Sequence, residues 1–154
     1  MALTEEELVP TEGHPLERAD IEKILPHRDP FLWVDRVLEH DLGKHVVAEL
    51  YIDPAWPHFK GHYPGHPVMP GVLMLEALAQ TSGIALMAAP ESQGKLGYLV
   101  KVDNAKFRQQ VVPGNMLRLE SWVLKNNGRT ARAHVEASVD GTVCVEADQM
   151  YVVR

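Results

Sequence analysis

Cysteine is almost missing from this chain: Cys144 is the only one in 154 residues. That excludes an internal disulfide framework and a cysteine-built zinc site, and it fits a reducing cytoplasm. Positive charge is also short, with 15 Lys and Arg against 21 Asp and Glu, a formal net charge of −6. A general nucleic-acid binder needs the opposite balance, because it must replace the counterions of the phosphate backbone. No stretch is apolar enough for a membrane span. Residues 71–89 come nearest, but they carry Glu76, Gln80, Thr81 and Ser82 and are closed by Pro70 and Pro90. A spanning helix needs about 20 predominantly apolar residues, so this one is read as buried in protein. The start of the chain holds Glu5, Glu6, Glu7, Glu12 and Glu17, not the basic-then-apolar pattern of a secretory signal. There is no G-x-S-x-G elbow, no G-x-x-x-x-G-K-[ST] loop and no G-x-G-x-x-G turn. Neither a nucleotide nor an organic cofactor is expected.

What is present suits one folded domain: 45% of residues are hydrophobic and 23% charged, the balance of a globular chain. Residues 1–17 read as an acidic extension and 18–154 as the domain. Asp20 is placed to cap a short helix through Leu25, which Pro26 ends. Residues 31–41 and 44–53 read as strands flanking Gly43. Residues 54–71 hold five of the eleven prolines, at 54, 57, 64, 67 and 70, and are read as a rigid loop without regular elements. The helix 71–89 follows, apolar on every face. Strands are expected at 96–103, 116–125, 129–139 and 142–153. In 129–139, Ala131, Ala133, Val135, Ala137 and Val139 face one way, while Arg132, His134, Glu136 and Ser138 face the other. Asn126-Asn127-Gly128 and Asp140-Gly141 are hairpin signals, so the last three strands form a meander. Two strands, a helix and four strands do not alternate as βαβα units do. An α+β fold results, an antiparallel sheet curled around one long apolar helix. Its open edges predict a dimer paired across a two-fold axis.

Three features carry chemistry. Glu76 lies in the apolar helix without a helical counter-charge. A buried carboxylate tends to take up a proton, and a carboxylic acid held neutral can act as a general acid. The alternative is a Glu76 that reaches the helix surface or pairs with an arginine. His58, His62 and His66 are spaced four apart, but Gly61, Pro64 and Gly65 fall among them, so no helix aligns their rings. No Cys or Asp at 55–70 completes a ligand set, and no metal is expected. A stiff loop can instead fix one imidazole as a general base. For His58 and His66 the favoured reading is a surface or merely packed ring. Pro70-Gly71 opens the helix; its first N–H groups lack internal partners and with the helix dipole could stabilise an enolate oxygen. The alternative there is a plain helix start.

The run GHYPGHPVMPGVLMLEALAQ (Gly61–Gln80), together with LPHRDPFLWVDRV (Leu25–Val37) and KVDNAKFRQQVVPGNML (Lys101–Leu117), resembles the (3R)-hydroxyacyl-[acyl-carrier-protein] dehydratases of the FabZ type. The resemblance covers residues 18–154 in consistent order. It implies the hot-dog fold, no cofactor, and removal of water from (3R)-3-hydroxyacyl thioesters on acyl carrier protein in fatty acid biosynthesis. Carried over by position, His62 and Glu76 are the catalytic pair, donated by opposite subunits of a homodimer, and dimers can assemble as trimers of dimers. Gly71 matches the glycine whose N–H binds the thioester carbonyl, and Tyr98 a tyrosine at the tunnel entrance of some members. Asp29 stands where the family often has Tyr. Ala48–Trp56 leans towards FabA-type dehydratase/isomerases, but those carry Asp and usually Cys where this chain has Glu76 and Val72.

An acyl tunnel along the helix is expected, with Val68, Met69, Leu73, Leu99 and Phe107 as candidate linings beside Tyr98. Arg28, Lys101, Lys106 and Arg108 are candidates for a basic docking patch for the acidic carrier protein, against a scattered solvated surface. The competing readings are a hot-dog acyl thioesterase, a FabA-type isomerase and a non-catalytic acyl-binding module.

Overall fold

A computed structural model describes residues 15–92 and 94–154. Most of the acidic stretch, residues 1–14, lies outside the described residues. Its last residues join the domain: Leu16 is fully buried and exchanges backbone hydrogen bonds of 3.0 and 2.9 Å with Val37. Helix α1 (Arg18–Ile24) starts one turn earlier than its expected cap. Glu17 takes the cap position, and Asp20, now the third helical residue, accepts the Glu17 N–H at 3.0 Å. Each side chain satisfies the other's backbone donor, a capping box. The helix stops at Leu25, ahead of Pro26.

Six antiparallel strands form one sheet: β1 (Arg36–Asp41), β2 (His45–Tyr51), β3 (Gly97–Phe107), β4 (Met116–Asn126), β5 (Thr130–Val139) and β6 (Thr142–Val153). Their order is β1-β2-β4-β5-β6-β3. The meander β4-β5-β6 is present as expected. At its first turn Asn127 Oδ1 accepts the N–H groups of Arg129 and Thr130 at 3.0 and 2.8 Å, which is why asparagine suits it. Helix α2 (Gly71–Met87) lies against β2, β3, β4, β5 and β6. Ala131, Ala133, Val135 and Ala137 of β5 are at most 1% exposed and supply small surfaces to the core. Among the described residues no helix is long and apolar enough to cross a membrane.

Three expected boundaries move. Residues 31–35 are not strand. The Trp33 N–H and the Phe31 carbonyl bond instead to the buried side chain of Gln80, so a helix residue replaces a neighbouring strand. Within the proline-rich loop a 3-10 turn spans Pro57–Lys60 and buries Phe59; Pro57 opens it, its fixed φ already suiting a first helical position. Strand β3 continues to Phe107, four residues past its expected end, through two register shifts against β6.

Among the described residues the buried Gln80, Thr81, Ser82, Ser121 and Gln149 are all hydrogen-bonded, whereas the indole N–H of the buried Trp33 has no partner. Ser82 Oγ meets Ser121 Oγ at 2.6 Å and the Tyr151 hydroxyl at 2.9 Å; Tyr151 also bonds Gln149 Oε1, and Gln149 Nε2 donates to the Leu75 carbonyl at 3.0 Å. Burial, the largest influence, pushes the Tyr151 phenol well up, so it stays a neutral donor. This chain ties α2 to β4 and β6 at a fixed rotation. It thereby decides which helix face Glu76 occupies.

Candidate active site

The loop before α2 is stiff because its backbone groups are paired. Gly61 and His62 N–H both donate to the His58 carbonyl, at 3.1 and 3.0 Å. Tyr63 and His66 exchange hydrogen bonds of 2.9 Å in both directions, and Gly65 between them takes φ +70°, a conformation costly for other residues. The Val68 N–H returns to the His62 carbonyl at 2.9 Å. The His62 ring is fixed by the same residue: Nδ1 lies 2.7 Å from the Val68 carbonyl oxygen. A carbonyl can only accept, so Nδ1 carries the hydrogen and Nε2 keeps its lone pair. Tyr63 stacks on the other side with ring centroids 4.1 Å apart. An imidazole oriented in this way is a base aimed by its loop.

The other two loop histidines do different work. His58 packs among Trp33, Trp56 and Phe59, and its pKa is lowered first by burial and then by neighbouring His62. His66 is exposed.

Val68 and Met69 lead directly into α2, with Gly71 as its first residue. The Pro70 carbonyl takes the N–H groups of Leu73 and Met74 at 3.1 and 3.3 Å. The Gly71 and Val72 N–H groups have no acceptor among the described residues. Both residues line an open cleft of about 530 Å³ shared with His62, Met69 and Phe107. The glycine is required by close approach: a Cβ there would sit 2.6 Å from Phe107 Cε1. A base with a free lone pair, two free N–H groups and a helix dipole therefore face one space. That arrangement can remove a proton beside a carbonyl and hold the resulting oxyanion.

Glu76 is not in that cleft. It lines a second, more enclosed cavity of about 60 Å³, with Leu25, His27, Gly83, Met87 and Leu99 around it. In one chain its side chain is 26% exposed, less sunken than the sequence suggested. Gln80 Nε2 donates to its Oε1 at 3.0 Å, and His27 Nε2 stands 3.8 Å from the same oxygen. Burial, the larger influence, lowers the His27 pKa, Glu76 works against it, and Arg28 adds to the lowering. Sequence reasoning overlooked both neighbours; their only signal was position, since Gln80 is one turn beyond Glu76 and His27 lies in the LPHRDPF stretch.

Residues 25–148 match the model of the FabA-like domain family. The chain belongs to the FabA-like family. Among its relatives, the 3-hydroxyacyl-[acyl-carrier-protein] dehydratase FabZ of Listeria monocytogenes serotype 4b is 46% identical over 136 residues, 88% of this chain and 94% of that one. The FabZ of the same description from Moorella thermoacetica is 45% identical over 133 residues, covering 86% and 93%. Among solved structures, the dehydratase heterocomplex ApeI:P from Xenorhabdus doucetiae gives a TM-score of 0.71 at 18% identity, over 87% of this chain and 90% of that one. A hypothetical thioesterase protein with coenzyme A from Streptococcus pneumoniae gives 0.57 at 13% identity, over 77% and 84%. These distant likenesses speak for the fold, and the fold is the hot-dog: a sheet wrapped around one central helix.

In this FabA-like chain the candidate tunnel residues divide between the two spaces. Val68, Met69 and Phe107 line the His62 cleft, and Leu99 lines the Glu76 cavity. Tyr98 is exposed beside Leu99 on β3, while Leu73 packs half-buried against the core. The docking candidates are exposed but not free. Arg28 caps carbonyls of Glu22, Leu25 and His27 at 2.7–2.9 Å. Lys101 pairs with Asp103 at 3.3 Å, and Glu146 holds Arg108 at 2.9 Å and Lys106 at 3.9 Å.

Proposed function

We propose that the chain is a cytoplasmic 3-hydroxyacyl-[acyl-carrier-protein] dehydratase of fatty acid biosynthesis, with His62 as base and Glu76 as acid. The observation that carries this reading is the His62 ring, whose Nδ1–H is spent on the Val68 carbonyl so that Nε2 is free beside the open end of α2. Nε2 removes the α-proton of a (3R)-3-hydroxyacyl thioester. The electron pair moves onto the thioester oxygen, which accepts the Gly71 N–H at the positive end of the helix dipole. The enolate then collapses to the trans-2 double bond as the β-carbon–oxygen bond breaks. Glu76 gives its proton to the departing hydroxyl, which leaves as water, and solvent resets both side chains. The steps use proton transfers and one anion site that these residues supply.

His62 and Glu76 open into different spaces of one chain, so the pair is best completed by a second copy. Strand β3 is the open edge of the sheet and exposes Tyr98, Leu99, Val100 and Phe107, whereas β1 at the other edge is bridged by Leu16. An exposed apolar edge invites strand pairing. Two copies joined there, as a dimer or within a trimer of dimers, would place His62 of one against Glu76 of the other. The acyl chain would run from that junction into the cavity beside Leu25, Gly83 and Met87. Lys101, Lys106 and Arg108 would meet the carrier protein by exchanging Asp103 and Glu146 for its carboxylates, and Arg28 by giving up the backbone carbonyls it now caps.

The test is to offer the protein crotonyl-acyl-carrier-protein and follow loss of the conjugated enoyl absorbance. Hydration is expected, and His62→Ala or Glu76→Ala lowers it about 10²- to 10⁴-fold, the span of acid–base catalysis. Release of free thiol without enoyl chemistry would mean a thioesterase. Binding without either reaction would mean an acyl-binding module.

A further inference from the structure

The outer face of the sheet carries a row of like charges. Glu120, Glu136 and Glu146 stand directly opposite one another across β4, β5 and β6, an arrangement that destabilises a sheet unless cations intervene. His45 and Arg118 reach Glu120 at 2.6 and 3.9 Å, and Arg108 and Lys106 reach Glu146 at 2.9 and 3.9 Å. Among the described residues Glu136, the middle member, is paired only with His134, through Nε2 at 3.3 Å. The other ring nitrogen, Nδ1, lies 2.9 Å from Asp148 Oδ1, and the Trp122 ring stands alongside with centroids 5.6 Å apart. Arg132 on β5, with Asp103 and Lys106 on β3, completes the charged surroundings. A neutral imidazole has one N–H, so it satisfies one of these two carboxylates and turns a lone pair on the other. The imidazolium donates to both. The geometry therefore suits the charged ring.

Asp148 has a second task, since its Oδ2 accepts a hydrogen bond from Asn104 Nδ2 at 3.1 Å. Asn104 takes φ +53°, the left-handed region that asparagine tolerates better than most residues. It lies in the register shift between Asp103 and Lys106, where β3 carries one more residue than β6. Three residues later the same strand sets Phe107 against Gly71. We propose that His134 is a proton-operated latch: as an imidazolium it clamps Glu136 and Asp148 together, Asp148 holds Asn104, and the bulge that sets Phe107 over the cleft is kept. Loss of the proton leaves one carboxylate facing a lone pair and loosens the hold on Asn104.

Partial burial, the largest single influence, lowers the His134 pKa, but its hydrogen bonds to Asp148 and Glu136 and the charges of both together leave it raised. The Asp148 carboxyl is lowered, first by His134 and then by Asn104. A raised imidazole stabilises the fold fully below its ordinary value of about 6.5, and that share is lost as pH rises through the folded value. A lowered carboxyl sets the opposite limit, because its share is lost as pH falls through its own folded value. The latch is closed between the two limits and opens in alkali.

NMR of the full chain tests this, with the His134 ring and the Asn104 side-chain amide followed from about pH 5 to about pH 9.5. His134 should titrate above about 6.5, and the Asn104 amide and the Phe107 backbone amide should move with the same midpoint. In His134→Gln the Asn104 transition should vanish. His45→Gln, which removes the other histidine of the row, should leave it intact. In thermal melts near pH 6 the unaltered protein should exceed His134→Gln by about 1–3 °C, the scale of a partly exposed ion pair, and the gap should close in alkali. A His134 midpoint at or below about 6.5, an Asn104 signal that ignores that midpoint, or a melting gap independent of pH would each overturn the proposal. So would loss of the Asn104 transition in His45→Gln. Should His134→Gln fail to fold, sequential assignment of the unaltered protein locates all three signals and the titration decides alone. None of these measurements needs hydration activity, so they stand apart from the dehydratase reading.

Discussion

A hydrogen atom in place of a side chain lets the Phe107 ring close over the first turn of α2. At Gly71 a methyl group would lie 2.6 and 2.7 Å from two ring carbons, well inside van der Waals contact. Gly71→Ala should therefore drive the ring away, and the nearest space is the cleft that both residues line. We expect kcat/KM for enoyl hydration to fall roughly 10- to 100-fold, the scale of a reacting geometry displaced by about an ångström. Phe107→Ala in the same chain removes the obstacle and should restore much of the loss. Steady-state kinetics of the two variants, with thermal melts to show that both fold, make the comparison. An additive second loss would place the defect in the glycine's own conformation rather than in the ring. The open N–H groups of a helix start were legible at Pro70-Gly71, but the need for glycine was not, because it comes from the Phe107 ring of a distant strand. Gln80 was not, because an amide in an apolar run reads as an interruption until its three partners are known. Glu76 misled in the other direction: an acid inside an apolar helix suggests full burial, yet in one chain it stands at a cavity mouth.

Periodicity carried most of the architecture at the scale of the element. Alternation found β5, one face of which meets α2, and Asn126-Asn127-Gly128 and Asp140-Gly141 marked the turns that join it to β4 and β6. It failed where side chains replaced ladders, as at residues 31–35, and where two register shifts broke the alternation of β3. It also could not say which stripe of α2 borders the Glu76 cavity, because a helix apolar on all faces has no direction. The structure supplies that stripe: residues 76, 79, 80, 83, 86 and 87, the three- and four-residue steps of one helix face. Gly83 is its narrow point, where an added Cβ would lie 3.1 Å from Leu25 Cδ2 of the α1 end. Gly83→Val should fill the cavity while leaving Glu76 and Gln80 in place. The expected result is a changed chain-length preference. Hydration of a twelve-carbon enoyl substrate should drop at least about tenfold relative to crotonyl, because each methylene denied burial forfeits about 0.8 kcal/mol. The ratio of kcat/KM for the two substrates measures it, and a parallel loss on both would mean that the acyl chain lies elsewhere.

For the whole molecule the question is how a base in one cleft and an acid in another can serve one substrate. A monomer offers His62 without an acid beside it, and Glu76 without a base. Two-fold pairing along β3 would convert two half-sites into two complete ones, each drawing on both chains. Mixing separates this from any arrangement within one chain. His62→Ala and Glu76→Ala proteins should each be nearly inactive alone. After joint unfolding and refolding, random pairing makes half the dimers mixed. In a mixed dimer one junction carries both defects, while the other joins the intact His62 of one chain to the intact Glu76 of its partner. Half the dimers with half their sites restored gives about one quarter of the original activity, as two-fold symmetry requires. Were both groups supplied by the same chain, no mixed dimer could hold an intact site, and activity would stay at the level of the single variants. Replacing Val100, exposed on β3, by Asp should weaken the pairing, and activity should then fall together with the dimer fraction seen by sedimentation.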